Sequence, residues 1–195
     1  MQGRTDGGAI AILLASVLAL AAATPAAAQM EPLKDPRSHL LEGGKSLLLF
    51  PRERVVLSIA PDGALKILSA TAADPNLALP RPGRDDATAA IREADPGTVA
   101  VLMGAMGGGD TTLLMIASGV SQAFDYRAAW LMDAARPKLT PLKVCTVLPL
   151  LPSYEQWENT AAPVIMLTGF KSRASNVVLC PDPPRVVDAP KVPSR

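Results

Sequence analysis

Val55-Val56-Leu57-Ser58-Ile59-Ala60-Pro61-Asp62-Gly63-Ala64-Leu65-Lys66-Ile67-Leu68-Ser69-Ala70 is the stretch that decides the fold. Two apolar runs of strand length, VVLSIA and ALKILSA, flank a Pro-Asp-Gly turn. Proline presets the backbone for the first turn position, aspartate caps it, and Gly63 takes positive φ without a Cβ penalty. The spacing predicts a β-hairpin over Arg54 to Ala70.

Working outward, a second hairpin is expected where TVAVLMGAM and TTLLMIASG flank Gly107 to Asp110. Both arms are nearly continuously apolar, the pattern of strands buried on both faces, so this pair is placed at the centre of the fold. From Gln122 to Asp133 the chain alternates strictly: Phe124, Tyr126, Ala128, Trp130 and Met132 fall on one face, and Asp125, Arg127 and Asp133 on the other. Leu142 to Leu148, Val164 to Phe170 and Asn176 to Cys180 read as three more strands. With Ser46 to Phe50 the series comes to about nine. Many short antiparallel strands around one apolar core specify an all-β fold. A single β-sandwich leads and a small β-barrel is the alternative. The sandwich resembles immunoglobulin domains in architecture only, because the Cys-Trp-Cys pattern of those domains is absent: Trp157 reads as part of a Pro-bounded loop.

One long connection interrupts the series. Residues 72–97 are rich in Pro, Asp and Arg, with a two-turn helix expected at Asp86 to Ala94. Residues 29–45 and 181–195 read as extended tails, the latter Pro-rich, which leaves 46–180 as the sandwich domain.

Ahead of the first tail, Arg4 leads into the apolar run Ala9 to Ala23, Thr24-Pro25 breaks it, and Ala26-Ala27-Ala28 precedes Gln29. A weakly basic head, a short apolar body and an A-x-A site predict a cleavable signal peptide over residues 1–28. The apolar run falls short of the roughly twenty residues a membrane helix needs. The expected location is therefore periplasmic or secreted. In an oxidising compartment Cys145 and Cys180, the chain's two cysteines, are expected to form one disulfide. Closing a loop of about 36 residues is worth roughly 4 kcal/mol through the unfolded state.

Composition narrows the function classes. The formal net charge is +1 and the basic residues are dispersed among nearly as many carboxylates, which argues against nucleic acid as a partner. His39 is the sole histidine and falls in the N-terminal tail, which argues against a catalytic imidazole; neither a GxSxG elbow nor an S-x-x-K pair follows it. Gly43-Gly44-Lys45-Ser46 is similar to the end of a phosphate-binding loop, but its first glycine would fall at His39, so a turn into the first strand is the preferred reading. Asp85, Asp86, Glu93 and Asp95 cluster in the long connection without calcium-loop spacing. No metal site, catalytic residue or cofactor is assigned.

The most distinctive surface candidate is PSYEQWEN, Pro152 to Asn159. It sets Tyr154 and Trp157 among Glu155 and Glu158, a combination able to grip a sugar ring or a peptide strand. The competing reading folds Trp157 back as a plug at one end of the sandwich. The leading expectation is a non-catalytic binding or assembly module of the bacterial cell envelope, its partner an envelope protein or glycan. It would act through the Tyr154 to Trp157 loop or through a strand edge such as Ser46 to Phe50. A carboxylate-dependent glycan hydrolase and a small apolar-ligand carrier, the latter lined by Val99 to Ser118, are the alternatives.

Overall fold

The computed structural model describes residues 33–73, 76–77, 94–106, 111–131, 139–158 and 164–183. The expected signal peptide, the turn at Gly107 to Asp110, the helix proposed from Asp86 up to residue 93, and the end of the C-terminal tail lie outside the described residues.

Among the described residues eleven strands follow in order: β1 His39–Leu41, β2 Ser46–Leu49, β3 Glu53–Ile59, β4 Leu65–Ala72, β5 Asn76–Leu77, β6 Val99–Met106, β7 Thr111–Ser118, β8 Ala123–Leu131, β9 Leu139–Leu142, β10 Pro152–Glu158 and β11 Val164–Arg173. One antiparallel sheet has the order β1-β2-β11-β8-β9. The other runs β10-β7-β6-β3-β4, with the two-residue β5 added parallel to the end of β6. Both sheets keep two edges, so the fold is an all-β sandwich and not a barrel.

The opening hairpin forms as the sequence dictates. Its ladder runs from Glu53↔Ala72 to Ile59↔Leu65. The Asp62 carboxylate accepts the Ala64 amide at 3.1 Å. Gly63 adopts φ +83°, and a Cβ there would collide with the Phe170 carbonyl of β11, so this turn of one sheet rests on the other. A register shift between Val56 and Leu57 leaves Leu68 unpaired on the edge strand β4, where it is exposed. A bulge of this kind blunts an edge against unwanted pairing.

The second hairpin, β6 and β7, occupies the middle of its sheet with an unbroken register from Val99↔Ser118 to Met106↔Thr111. One face contributes Val99, Val101, Met103, Leu114 and Ile116 to the main core, against Phe124, Tyr126 and Trp130 of β8 and Ile165, Leu167 and Phe170 of β11. The opposite face is buried as well: Leu102, Leu113 and Met115 pack with Tyr154, and Ala100 and Ala117 with Val56. Burial on both faces is what the unalternating sequence required. Each fully buried Leu, Ile or Met adds about 1.5–3 kcal/mol of transfer free energy.

Five local expectations need correction. Residues 39–41, read as tail, form β1 on β2, and the segment before them is tied down: the Leu33 amide donates to Ala70 O, and the Arg37 and Ser38 amides to the Glu53 carboxylate at 2.8 and 2.7 Å. His39 thus sits on an edge strand, exposed, its ring stacked on Phe50. Ser46–Leu49 is paired on both sides, by β1 and β11, and offers no free edge.

Pro152–Glu158, read as loop, is the edge strand β10, paired with β7 along its whole length. Its inward positions carry a glutamate and a tryptophan in place of an aliphatic pair, which hid the alternation.

Finally, β9 stops at Leu142. The chain rejoins β8 only at the Phe124↔Val147 bridge, so residues 125–127 face the longer segment 143–146, which bows out of the sheet. Asn176–Cys180 is not a strand: the Val177 amide turns back to Ser175 Oγ at 3.3 Å, and Leu179 pairs with Thr146, whose amide donates to Leu179 O at 2.9 Å and whose Oγ1 accepts the Leu179 amide at 3.2 Å.

Candidate functional site

The four residues singled out in the sequence do not form one surface. Strand alternation sends Glu155 and Trp157 inward and Tyr154 and Gln156 to the outer face. Tyr154 packs, half-buried, on the Leu102, Leu113 and Met115 cluster. The Trp157 indole stands edge-on to Trp130 at 5.6 Å between centroids, and its Nε1–H donates to the Lys143 carbonyl at 3.0 Å. This is the arrangement of a plug. Glu155 is buried and accepts the Cys145 amide at 2.7 Å. Glu158 is exposed at the strand's end.

Electrostatics around Glu155 follow from its position. Burial pushes its carboxyl above the ordinary range, opposed by the Cys145 amide and the Tyr126 phenol, both of which favour the charged form. Tyr126 is pushed well above its usual value, first by burial and then by the neighbouring Glu155 charge. Its hydroxyl makes no hydrogen bond of standard geometry, yet lies close enough for the two groups to shift each other.

These inward contacts have an outward result. By holding Lys143 and Cys145 through their backbones, β10 pulls 143–146 out of line with β8, and the displaced segment carries the disulfide. Cys145 is bonded to Cys180 as the sequence predicts. The bond clamps residues 174–183, the C-terminal arm, beside the sheet of β8 and β11. Exposed Lys143 and Asp182 add an ion pair at 3.0 Å, which contributes little in water.

Between the arm and the outer face of β8 and β11 lies a groove of about 500 Å³. Asp125, Arg127, Lys171 and Arg173 line its floor, and Leu142, Val144, Leu179 and Pro181 contribute to its wall. Asp125 is engaged twice, accepting from Thr146 Oγ1 at 2.7 Å and pairing with Arg173 at 3.1 Å. Arg127 and Lys171 form no ion pair among the described residues.

A local irregularity gathers these cations. The β11–β8 register breaks between Thr168 and Lys171, and Gly169 there takes φ +64°. If strict alternation ran unbroken through Gly169, Lys171 and Arg173 would point inward and Phe170 out. The bulge takes up one residue, so Phe170 enters the core and both cations reach the floor beside Arg127. Sequence reasoning missed this site. Its one signal is Thr168-Gly169-Phe170-Lys171, a glycine at the point where the alternation changes phase.

No group of three His, Cys, Asp or Glu side chains suited to a metal occurs among the described residues. Gly43 and Gly44 belong to a 3₁₀ turn that leads directly into β2, where a phosphate loop would open a helix. The carboxylates of the groove, Asp125 and Asp182, are each held by a cation, and the groove presents no Trp or Phe beside them. Val101, Met103, Leu114 and Ile116 of the central hairpin are packed in the core. No helix among the described residues is long and apolar enough to cross a membrane. Comparison with protein-family models, with curated proteins and with solved structures finds no match for this chain.

Proposed function

We propose that the protein is an exported, non-catalytic binding or assembly module of the bacterial cell envelope, which takes an extended segment of a partner protein along its C-terminal arm. The observation that carries this reading is the Val177-Val178-Leu179 run, three consecutive apolar side chains exposed by 58, 49 and 45 % on an arm fixed by a disulfide. Val178 has neither its amide nor its carbonyl paired among the described residues. Open backbone groups beside apolar side chains are what strand addition uses. Exposed contiguous apolar surface in a monomer commonly marks an interaction site. Glu155 and Trp157 support the arm from below, by holding the Cys145 amide and the Lys143 carbonyl, whereas Tyr154 packs on the opposite face of β10 and Glu158 is exposed at its end. Export is supported by the N-terminal pattern of Ala9 to Ala28 and by the disulfide, which persists in oxidising compartments.

Two measurements test the reading. The intact mass of protein recovered from the producing cells should start at Gln29 and fall short of the reduced value by the hydrogens a disulfide removes; a full-length mass with free thiols refutes export. A photo-crosslinking side chain at Val178 should trap one defined partner in intact cells, while the same group at Lys66 on β4 traps none. Equal labelling from both positions, or from Lys66 alone, refutes the arm as the binding surface.

A further inference from the structure

The groove beneath the arm carries a charge preference that the arm itself does not. Its floor holds Arg127, Lys171 and Arg173 against the single carboxylate Asp125, which Arg173 and Thr146 already occupy. At the wall, Asp182 is taken by Lys143. Arg127 and Lys171 are left, both exposed, on neighbouring strands and the same outer face: Asp125 pairs in register with Lys171, and Arg127 lies two residues along β8. The bulge at Gly169 is what places Lys171 there. A bulge that breaks the ladder in order to turn a lysine and an arginine onto one face is the device by which sheets re-aim side chains at a binding site.

We infer that this groove is a subsite for carboxylates of the bound segment, so that the partner strand is acidic as well as apolar. The inference rests on the proposed function: the arm supplies the apolar wall through Leu179 and Pro181, and the floor supplies two cations without intramolecular partners among the described residues. An extended segment presents side chains alternately to two sides. One set would meet the apolar wall, and the other would bring carboxylates over Arg127 and Lys171. Arg127 offers a fork for bidentate pairing and Lys171 a compact charge. Reading a strand by alternating apolar and acidic positions gives selectivity chiefly by rejecting basic segments, since like charges brought together cost more than exposed pairs gain.

The test uses the oxidised full chain and two probe peptides, Val-Glu-Val-Glu-Val and Val-Lys-Val-Lys-Val, followed by backbone amide shifts. The acidic peptide should shift amides at Asp125 to Arg127, Lys171 to Arg173, and Val178 to Leu179, and bind on the order of tenfold more tightly than the basic one at low salt, with the difference shrinking as salt is added. The double variant Arg127→Glu with Lys171→Glu should reverse the preference; Arg127→Gln with Lys171→Gln should abolish it. The neutral pair keeps the test decisive if charge reversal disturbs the fold. Equal binding of both peptides with shifts at Val178 and Leu179 overturns the charge inference while leaving the arm reading intact. Shifts confined to the floor and specific to the acidic peptide support the inference and remove the arm. No shift from either peptide overturns both.

Discussion

The sandwich is closed along its two open sides by two glutamate clips, and they are built differently. On one side Glu53, at the start of β3, receives the Arg37 and Ser38 amides, one on each carboxylate oxygen. On the other, Glu155 of β10 receives only the Cys145 amide, and its remaining surroundings are apolar core and the buried Tyr126 phenol. The first clip is satisfied by backbone alone. The second leaves a carboxyl under-solvated and adds a covalent bond, Cys145–Cys180, to the segment it holds. Each side therefore draws its strength from a different source, hydrogen bonds around β1 and a disulfide around the arm.

Removing that covalent bond should have the largest effect. With Cys145→Ser and Cys180→Ser together, the constraint on a loop spanning β10 and β11 disappears, and stability should fall by about 4 kcal/mol. Hydrogen exchange should show the Leu179 amide losing protection before any core amide, because Thr146 alone then holds it. A stability loss below 1 kcal/mol, or an arm that stays protected, would mean that the second clip stands without its disulfide.

Next come the paired changes Glu53→Gln and Glu155→Gln, which set the two clips against each other. A glutamine keeps one acceptor and gains a donor. At residue 53 that donor faces a backbone amide, leaving a buried N–H unpaired at a cost of about 2 kcal/mol. At residue 155 the carbonyl still takes Cys145, and the new donor points toward the Tyr126 oxygen, so the loss should stay under about 1 kcal/mol. Denaturant midpoints of the two variants decide it; equal losses would erase the distinction.

The pH dependence sharpens the same contrast. Because burial raises the Glu155 carboxyl above its unfolded value, the folded protein holds that proton more tightly than the unfolded chain does. Its contribution to stability is therefore full below the ordinary carboxylate value, near pH 4, lost as pH climbs through the raised folded value, and constant above it. Wild type should thus lose stability relative to Glu155→Gln as pH rises across that window. A difference that is flat, or that grows in wild type's favour, contradicts the assignment.

What was legible in the chain tracks how local the cause is. The hairpin at Pro61-Asp62-Gly63, the buried pair Val99 to Ser118 and the alternation at Phe124 to Trp130 were readable because turn chemistry and period-two burial are written in neighbouring residues. The edge strands were not. β1 is three residues long and β10 turns a glutamate inward, so neither carries enough apolar periodicity to register. Their existence depends on what they pair with: β2 and Glu53 hold the segment of β1, and β7, far back in the chain, holds β10. The groove was less legible still. Arg127, Lys171 and Arg173 read as scattered surface charge until the Gly169 bulge, a phase change in the ladder, puts them on one face.

The smallest expected effect tests whether Trp157 belongs to the clip or to a binding surface. Trp157→Phe keeps a ring to pack on Trp130 but removes the N–H that reaches the Lys143 carbonyl. One partly exposed hydrogen bond and part of an aromatic contact are at stake, so stability should fall by about 1 kcal/mol. The coupled near-ultraviolet circular dichroism of the two indoles should vanish. Because residues 143–146 are also held by Glu155, the groove wall stays in place, and binding of the acidic probe peptide should change less than threefold. If instead stability holds and peptide binding collapses, the indole is contacting ligand, and the second clip consists of Glu155 and the disulfide alone.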